Sequence, residues 1–162
     1  MTKPELKVTT PSDREAVITR VVDAPRGMVF DAHTKPALVQ RWLLGPPGWT
    51  MPVCEIDLRV GGKYRYEWRN ADGESMGMGG TFTEIVRPSR IVATQLFDQD
   101  WTGGETIVAT DIVEKNGKST ITTTVRYSSR EARDAALQTG MTSGMEMGYE
   151  QLEALLQETA NG

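Results

Sequence analysis

One cysteine, Cys54, and one histidine, His33, are all that the 162-residue chain has of either type. A lone cysteine excludes an internal disulfide, and one of each excludes a Cys/His zinc set. No metal and no cofactor is expected, and a histidine-based catalytic arrangement would have to be built on His33 alone. Positive charge is not in excess: 18 Lys and Arg against 22 Asp and Glu give a net charge of −4, with a pI near 5.1. Dedicated nucleic-acid binders carry a basic face, so that class is set aside. No apolar run approaches the roughly eighteen residues that a membrane span needs. The opening Met1-Thr2-Lys3-Pro4-Glu5 has no signal-peptide core. A soluble cytoplasmic protein is expected.

What is present suits one ordinary domain. Apolar residues make up 38% of the chain and charged residues 25%, enough for a core without covalent staples at this length. Gly and Pro punctuate the chain evenly, with no linker and no internal repeat. Residues 1–12, with Pro4 and Pro11, read as a loose arm or short edge extension, and residues 13–162 as a single domain.

Glu15 to Val22 is rich in β-branched residues and reads as a strand. Pro25 suits the first turn of a short helix over Arg26 to Thr34, and Pro36 opens a second that carries Leu38, Val39, Trp42 and Leu43. Gly45-Pro46-Pro47-Gly48 ends it. From Met51 onward the period becomes two. Tyr64, Tyr66 and Trp68 alternate with Lys63, Arg65, Glu67 and Arg69, which predicts a strand with an aromatic inner face and a charged outer one. Asp72-Gly73 marks a hairpin turn, and strands are predicted over Arg90–Phe97, Glu105–Val113 and Ser119–Tyr127. Asn116-Gly117 predicts a tight hairpin between the last two. Consecutive strands joined by short turns pair most simply as an antiparallel meander.

The final segment predicts one long amphipathic helix, with Ser128 and Glu131 at capping-box spacing. Leu137, Met141, Gly144, Met145, Gly148, Leu152 and Leu155 share one side, and Thr142, Glu146, Glu150, Glu153 and Gln157 the other. The expected fold is therefore α+β, an antiparallel sheet wrapped on a C-terminal helix with two short helices after the first strand.

These features together resemble the START-like, or SRPBCC, superfamily with its helix-grip fold, and within it the branch named after the heat-shock-protein-90 ATPase activator. The resemblance rests on Arg20 with Ala24-Pro25 and Val29-Phe30, Trp42 with Gly45-Pro46, and Asp57-Leu58-Arg59-Val60-Gly61-Gly62. It continues through Glu84-Ile85, Arg90-Ile91-Val92, and Gly140-Met141 with Gly144 before Leu152. It implies a cavity between sheet and C-terminal helix for an apolar or amphipathic small molecule. It also brings in relatives that act as cyclases or hydrolases.

The candidate lining residues are Trp42, Tyr64, Tyr66, Trp68, Met78, Phe82, Gln95, Phe97, Met141, Gly144 and Met145. Aromatic rings with polar tips and adaptable thioethers suit a pocket for a partly polar ligand, and they equally suit a plain core. Gly140, Gly144 and Gly148, spaced by four, either let the helix approach its neighbours or enlarge a space beneath it. Asp57 to Gly62 lacks a phosphate-loop pattern and reads as a turn with Asp57 and Arg59 paired. Glu84 shares parity with Phe82 and is the candidate base if the protein is an enzyme. His33 is expected at the surface and Cys54 in the core. Three functions stay open: a small-molecule binder, an enzyme of cyclase or hydrolase type on a hydrophobic substrate, and a chaperone- or protein-interaction module. A homodimer is compatible with any of them.

Overall fold

A computed structural model describes residues 6–44, 47–99 and 101–161. The elements run β1 (Lys7–Thr9), β2 (Glu15–Val22), α1 (Arg26–Thr34), α2 (Pro36–Trp42), β3 (Trp49–Ile56), β4 (Lys63–Asn70), β5 (Ser75–Val86), β6 (Arg90–Phe97), β7 (Thr106–Lys115), β8 (Lys118–Arg126), α3 (Arg130–Leu137) and α4 (Met141–Asn161). The strands form one antiparallel sheet in the order β1-β2-β8-β7-β6-β5-β4-β3. This is the expected α+β helix-grip fold, with a curved sheet and a C-terminal helix. Of the arm, Lys7 to Thr9 pairs with β2 as an edge strand; residues 1–5 lie outside the described residues, as do Gly45 and Pro46.

Period-two patterning builds the inner face. Ala16, Ile18, Arg20 and Val22 are buried along β2, Ser119, Ile121, Thr123 and Val125 along β8, and Tyr64, Tyr66 and Trp68 along β4. Asn116 and Gly117 both take positive φ, 56° and 78°, as the tight hairpin requires. The Asp57–Gly62 turn does more than reverse the chain. Gly61, at φ 84°, donates its N–H to the Phe82 carbonyl, and the Phe82 N–H donates to the Gly62 carbonyl. The turn thereby docks onto β5. A side chain at Gly62 would collide with the Asp57 carbonyl oxygen, so only glycine closes it. Arg59 donates to Asp57 at 2.9 Å across the turn, as expected.

The C-terminal segment differs from the sequence expectation. It is two helices, because Gly140 adopts φ 84° and ends the first run. The cap is Ser129, whose Oγ accepts from the Ala132 N–H at 3.0 Å. Ser128 instead donates to the Gly103 carbonyl at 2.7 Å. Leu137 therefore belongs to α3, and Gly140 lies between the helices rather than in a stripe on α4.

The core has two apolar clusters. The larger gathers Phe30, Val39, Trp42, the β4 aromatics, Ile112, Ile121 and the C-terminal half of α4. The smaller joins Ala16, Ile18, Val125, Tyr127 and Ala136 under α3. Between them on β2 sits Arg20, 2% exposed. Its Nη1 donates to the Val21 carbonyl and to Glu153 Oε1 of α4 at 3.1 Å. Glu153, expected on the wet side of the helix, is thus half-buried as the counter-ion of a buried cation. Losing one member of such a pair strands the other. Glu153→Ala is expected to lower stability by about 2–3 kcal/mol, the low side for a buried pair because the carboxylate keeps some solvent. Replacing both, Arg20→Met with Glu153→Leu, is expected to recover most of it. Urea denaturation of the three variants checks both statements, and a double variant no more stable than the single one contradicts the account.

Candidate functional site

Helix α4 is buried mainly from Gly148 to Leu156. Tyr149, Leu152, Leu155 and Leu156 are buried there. The Trp42 ring of α2 stacks on Tyr149 at 5.9 Å and 23°. Gly148 is buried against α2, where a Cβ would meet the Trp42 carbonyl oxygen at an ordinary contact distance of 3.5 Å. Trp42 is pinned in turn by its indole N–H, which donates to the Ala32 carbonyl at 2.8 Å, and by His33 edge-on at 5.0 Å. His33 is half-buried rather than a surface residue, with Nδ1 2.8 Å from the Val29 carbonyl. Trp42 therefore belongs to this sealed clamp.

The first two turns of α4 are less deeply buried. Met141, Gly144 and Met145 remain half-buried, and at Gly144 a Cβ would touch nothing within 4 Å among the described residues. The strands below match. Gln95 and Phe97 on β6 and Val108 and Thr110 on β7 lie on the inner face of central strands, yet all four are half-buried. Residues one or two positions further along the same face, Ile91, Ala93, Ile112 and Thr106, are buried. Phe97 packs against the larger cluster, Val108 and Met141 against the smaller, and Met145 against both.

A chain of rings leads to Phe97. Phe82 meets Tyr64 at 5.3 Å, Tyr64 meets Tyr66 at 5.1 Å, and Tyr66 meets Trp68 at 5.9 Å. Trp68 stacks on Phe97 at 6.4 Å, and Phe97 tilts against Trp101 at 4.9 Å. Exposure rises along the chain, from buried Phe82, Tyr64, Tyr66 and Trp68 to half-buried Phe97 and Trp101. Met78, beside Tyr66 in register, is buried. Most polar tips are engaged: Tyr64 donates to the Thr94 carbonyl at 2.7 Å, and Trp68 to the Leu43 carbonyl at 2.7 Å. The Tyr66 hydroxyl makes no hydrogen bond among the described residues, and burial raises its pKa above the ordinary phenol value. Cys54 is half-buried beside the larger cluster, its thiol pushed up to about 11 by desolvation.

Glu84 is not part of the site. The register shifts between Phe82 and Glu84, so one extra residue turns Glu84 outward. It is exposed and accepts from Arg90 Nε at 3.1 Å. Arg90 also holds Asp111 with two bonds of 2.8 Å. The outer face carries a second such pair, Arg65 to Asp98 at 2.8 and 2.6 Å, crossing over Gly77, and the groove beside it is lined by that pair together with Gly79, Leu96 and Phe97. That leaves the candidate residues divided. Gln95, Phe97, Met141, Gly144 and Met145 are half-buried. Tyr64, Tyr66, Trp68, Met78 and Phe82 form the sealed wall, and Trp42 sits in the clamp. Trp101, Val108 and Thr110 were not anticipated. The parity of Ile112 along β7 points to Val108 and Thr110, whereas Trp101 lies in a loop whose side-chain direction no periodicity predicts.

A sheet gripping a C-terminal helix, with two short helices after its first long strand, defines a START-like domain. Residues 23–157 match the family described as Activator of Hsp90 ATPase homolog 1-like protein, and the chain belongs to that family. A protein of known structure from Rhodobacter sphaeroides is 30% identical, with a TM-score of 0.90 over 95% of this chain and 99% of its own. One from Chromobacterium violaceum is 28% identical, with a TM-score of 0.75 over 88% and 96%. One from Mycobacterium smegmatis, 23% identical with a TM-score of 0.80 over 94% and 97%, shares the fold. No curated protein matches.

The clamp has a pH signature. Burial holds the His33 pKa below its ordinary 6.5, outweighing the bond to Val29 that raises it. The unfolded chain therefore takes up this proton at higher pH than the native one, and stability falls as pH drops below about 6.5. The expected outcome is a steeper loss of urea midpoint between about pH 7 and 5.5 in the parent protein than in His33→Gln. Parallel curves would show that His33 is not buried as a neutral ring.

Proposed function

We propose that the protein binds an apolar or amphipathic small molecule between the sheet and the N-terminal half of α4. The observation that carries this reading is the half-burial of Gln95, Phe97, Val108 and Thr110 on the inner face of central strands. A sheet centre beneath a helix is ordinarily packed to the density of a crystal, and side chains there lose their solvent exposure. Here the flanking positions on the same strands do, and these do not. Methionines on one side and aromatic rings on the other fit a site that adapts to a guest.

The enzymatic reading rested on Glu84, which lies on the other face of the sheet in an ion pair with Arg90. On the inner face of β6 and β7, Ile91, Ala93, Gln95, Phe97, Thr106, Val108, Thr110 and Ile112 are neither acids nor bases, and the one acid of that parity, Glu114, is exposed at the far end of β7, where it accepts from the Arg26 N–H. That composition favours binding over turnover. The lone cysteine, half-buried and with a raised pKa, is consistent with a reducing compartment, and a cytoplasmic location is part of the proposal.

Native mass spectrometry of gently purified protein is expected to show a retained small molecule that denaturing conditions release. Gly144→Leu, which places a side chain beside the proposed site, is expected to weaken that retention about tenfold or more while leaving helix content unchanged. Undiminished retention in Gly144→Leu would contradict this location.

A further inference from the structure

We infer that the guest is an uncharged planar aromatic compound with one hydrogen-bonding group, an inference that rests on the binding function proposed above. The first ground is charge. Across the described inner face of the sheet the ionisable cation is Arg20, and its charge is met by Glu153 at 3.1 Å on the flank of α4. The proposed site offers neutral polar groups instead, the Gln95 amide and the Thr110 hydroxyl. An ion placed there would lose its water without meeting a counter-charge, whereas a neutral hydroxyl or carbonyl loses little if one of these groups answers it.

The second ground is shape. The ring chain ends at Phe97 and Trp101, 4.9 Å apart and inclined at 53°, both half-buried. Trp68 shows how a flat partner is received, lying 6.4 Å from Phe97 at 22°. A planar guest extends this series by stacking, with Met141 and Met145 covering its other side as thioether contacts. A flexible alkyl chain gains the same burial but none of the ring–ring or sulfur–ring terms, and it loses rotamer freedom on entry.

Isothermal titration calorimetry of the intact protein with three probes of similar size tests this: 2-naphthol, 2-naphthoate and 1-decanol. Naphthol is expected to bind about tenfold or more tighter than naphthoate, because the carboxylate finds no partner. It is expected to bind about threefold or more tighter than decanol. Phe97→Ala, with folding checked by circular dichroism, is expected to remove the preference over decanol by weakening naphthol alone. Naphthoate binding as well as naphthol overturns the neutral guest, and decanol binding as well or better overturns the planar one. Either result leaves the binding function standing. If no probe binds, the inference fails together with the function on which it rests.

Discussion

Everything distinctive in this molecule follows from a helix secured at one end. Tyr149 against Trp42 and Glu153 on Arg20 hold α4, from its middle onward, to the body of the domain. Gly140, at φ 84°, separates that helix from α3. Before Gly148 the helix meets the core through Met141 and Met145, which stay half-buried against the two clusters. A strongly twisted sheet diverges from a straight rod, which is the geometric basis of the binding site proposed above.

The energetic cost of that arrangement is met in the sealed half. Phe30, Val29, Ile121, Leu152 and Val39 are fully or almost fully buried, and apolar burial of this kind contributes about 1.5–3 kcal/mol per large side chain. The Arg20–Glu153 pair contributes differently. A buried ion pair adds little net stability against an apolar replacement, but it fixes which turn of α4 faces β2. Its Nε is buried without a hydrogen-bond partner among the described residues. Rotation of α4 by one residue would break the pair, unstack Tyr149 and move Met145 off both clusters.

Much of this was legible in the amino-acid order, and the exceptions have identifiable causes. Strict alternation from Lys63 to Arg69 located the aromatic wall because an uninterrupted strand leaves side chains no other choice. Asn116-Gly117 located its hairpin because few residue pairs accept two positive φ values. Glu84 was misplaced because the bulge after Phe82 is stabilised by docking of the Asp57–Gly62 turn, a contact between segments some twenty residues apart that parity cannot register. The single long helix failed at Gly140 because a glycine at helical spacing reads as part of a stripe until its φ is known. Tyr149 and Leu156 escaped notice, though both lie on the buried side of α4, because the predicted face was phased on Leu137, which belongs to a different helix. Within the site, residues on strands could be assigned to a face, whereas Trp101, on a loop, could not.

The central claim is that room exists beneath the first turns of α4, and diffraction from crystals held under xenon pressure tests it most directly. Xenon enters apolar spaces that protein side chains leave open. The account predicts a xenon site bounded by Met145, Phe97 and Val108. A map with Met141 and Met145 packed down onto Thr110 and Gln95, and no xenon between them, would contradict it.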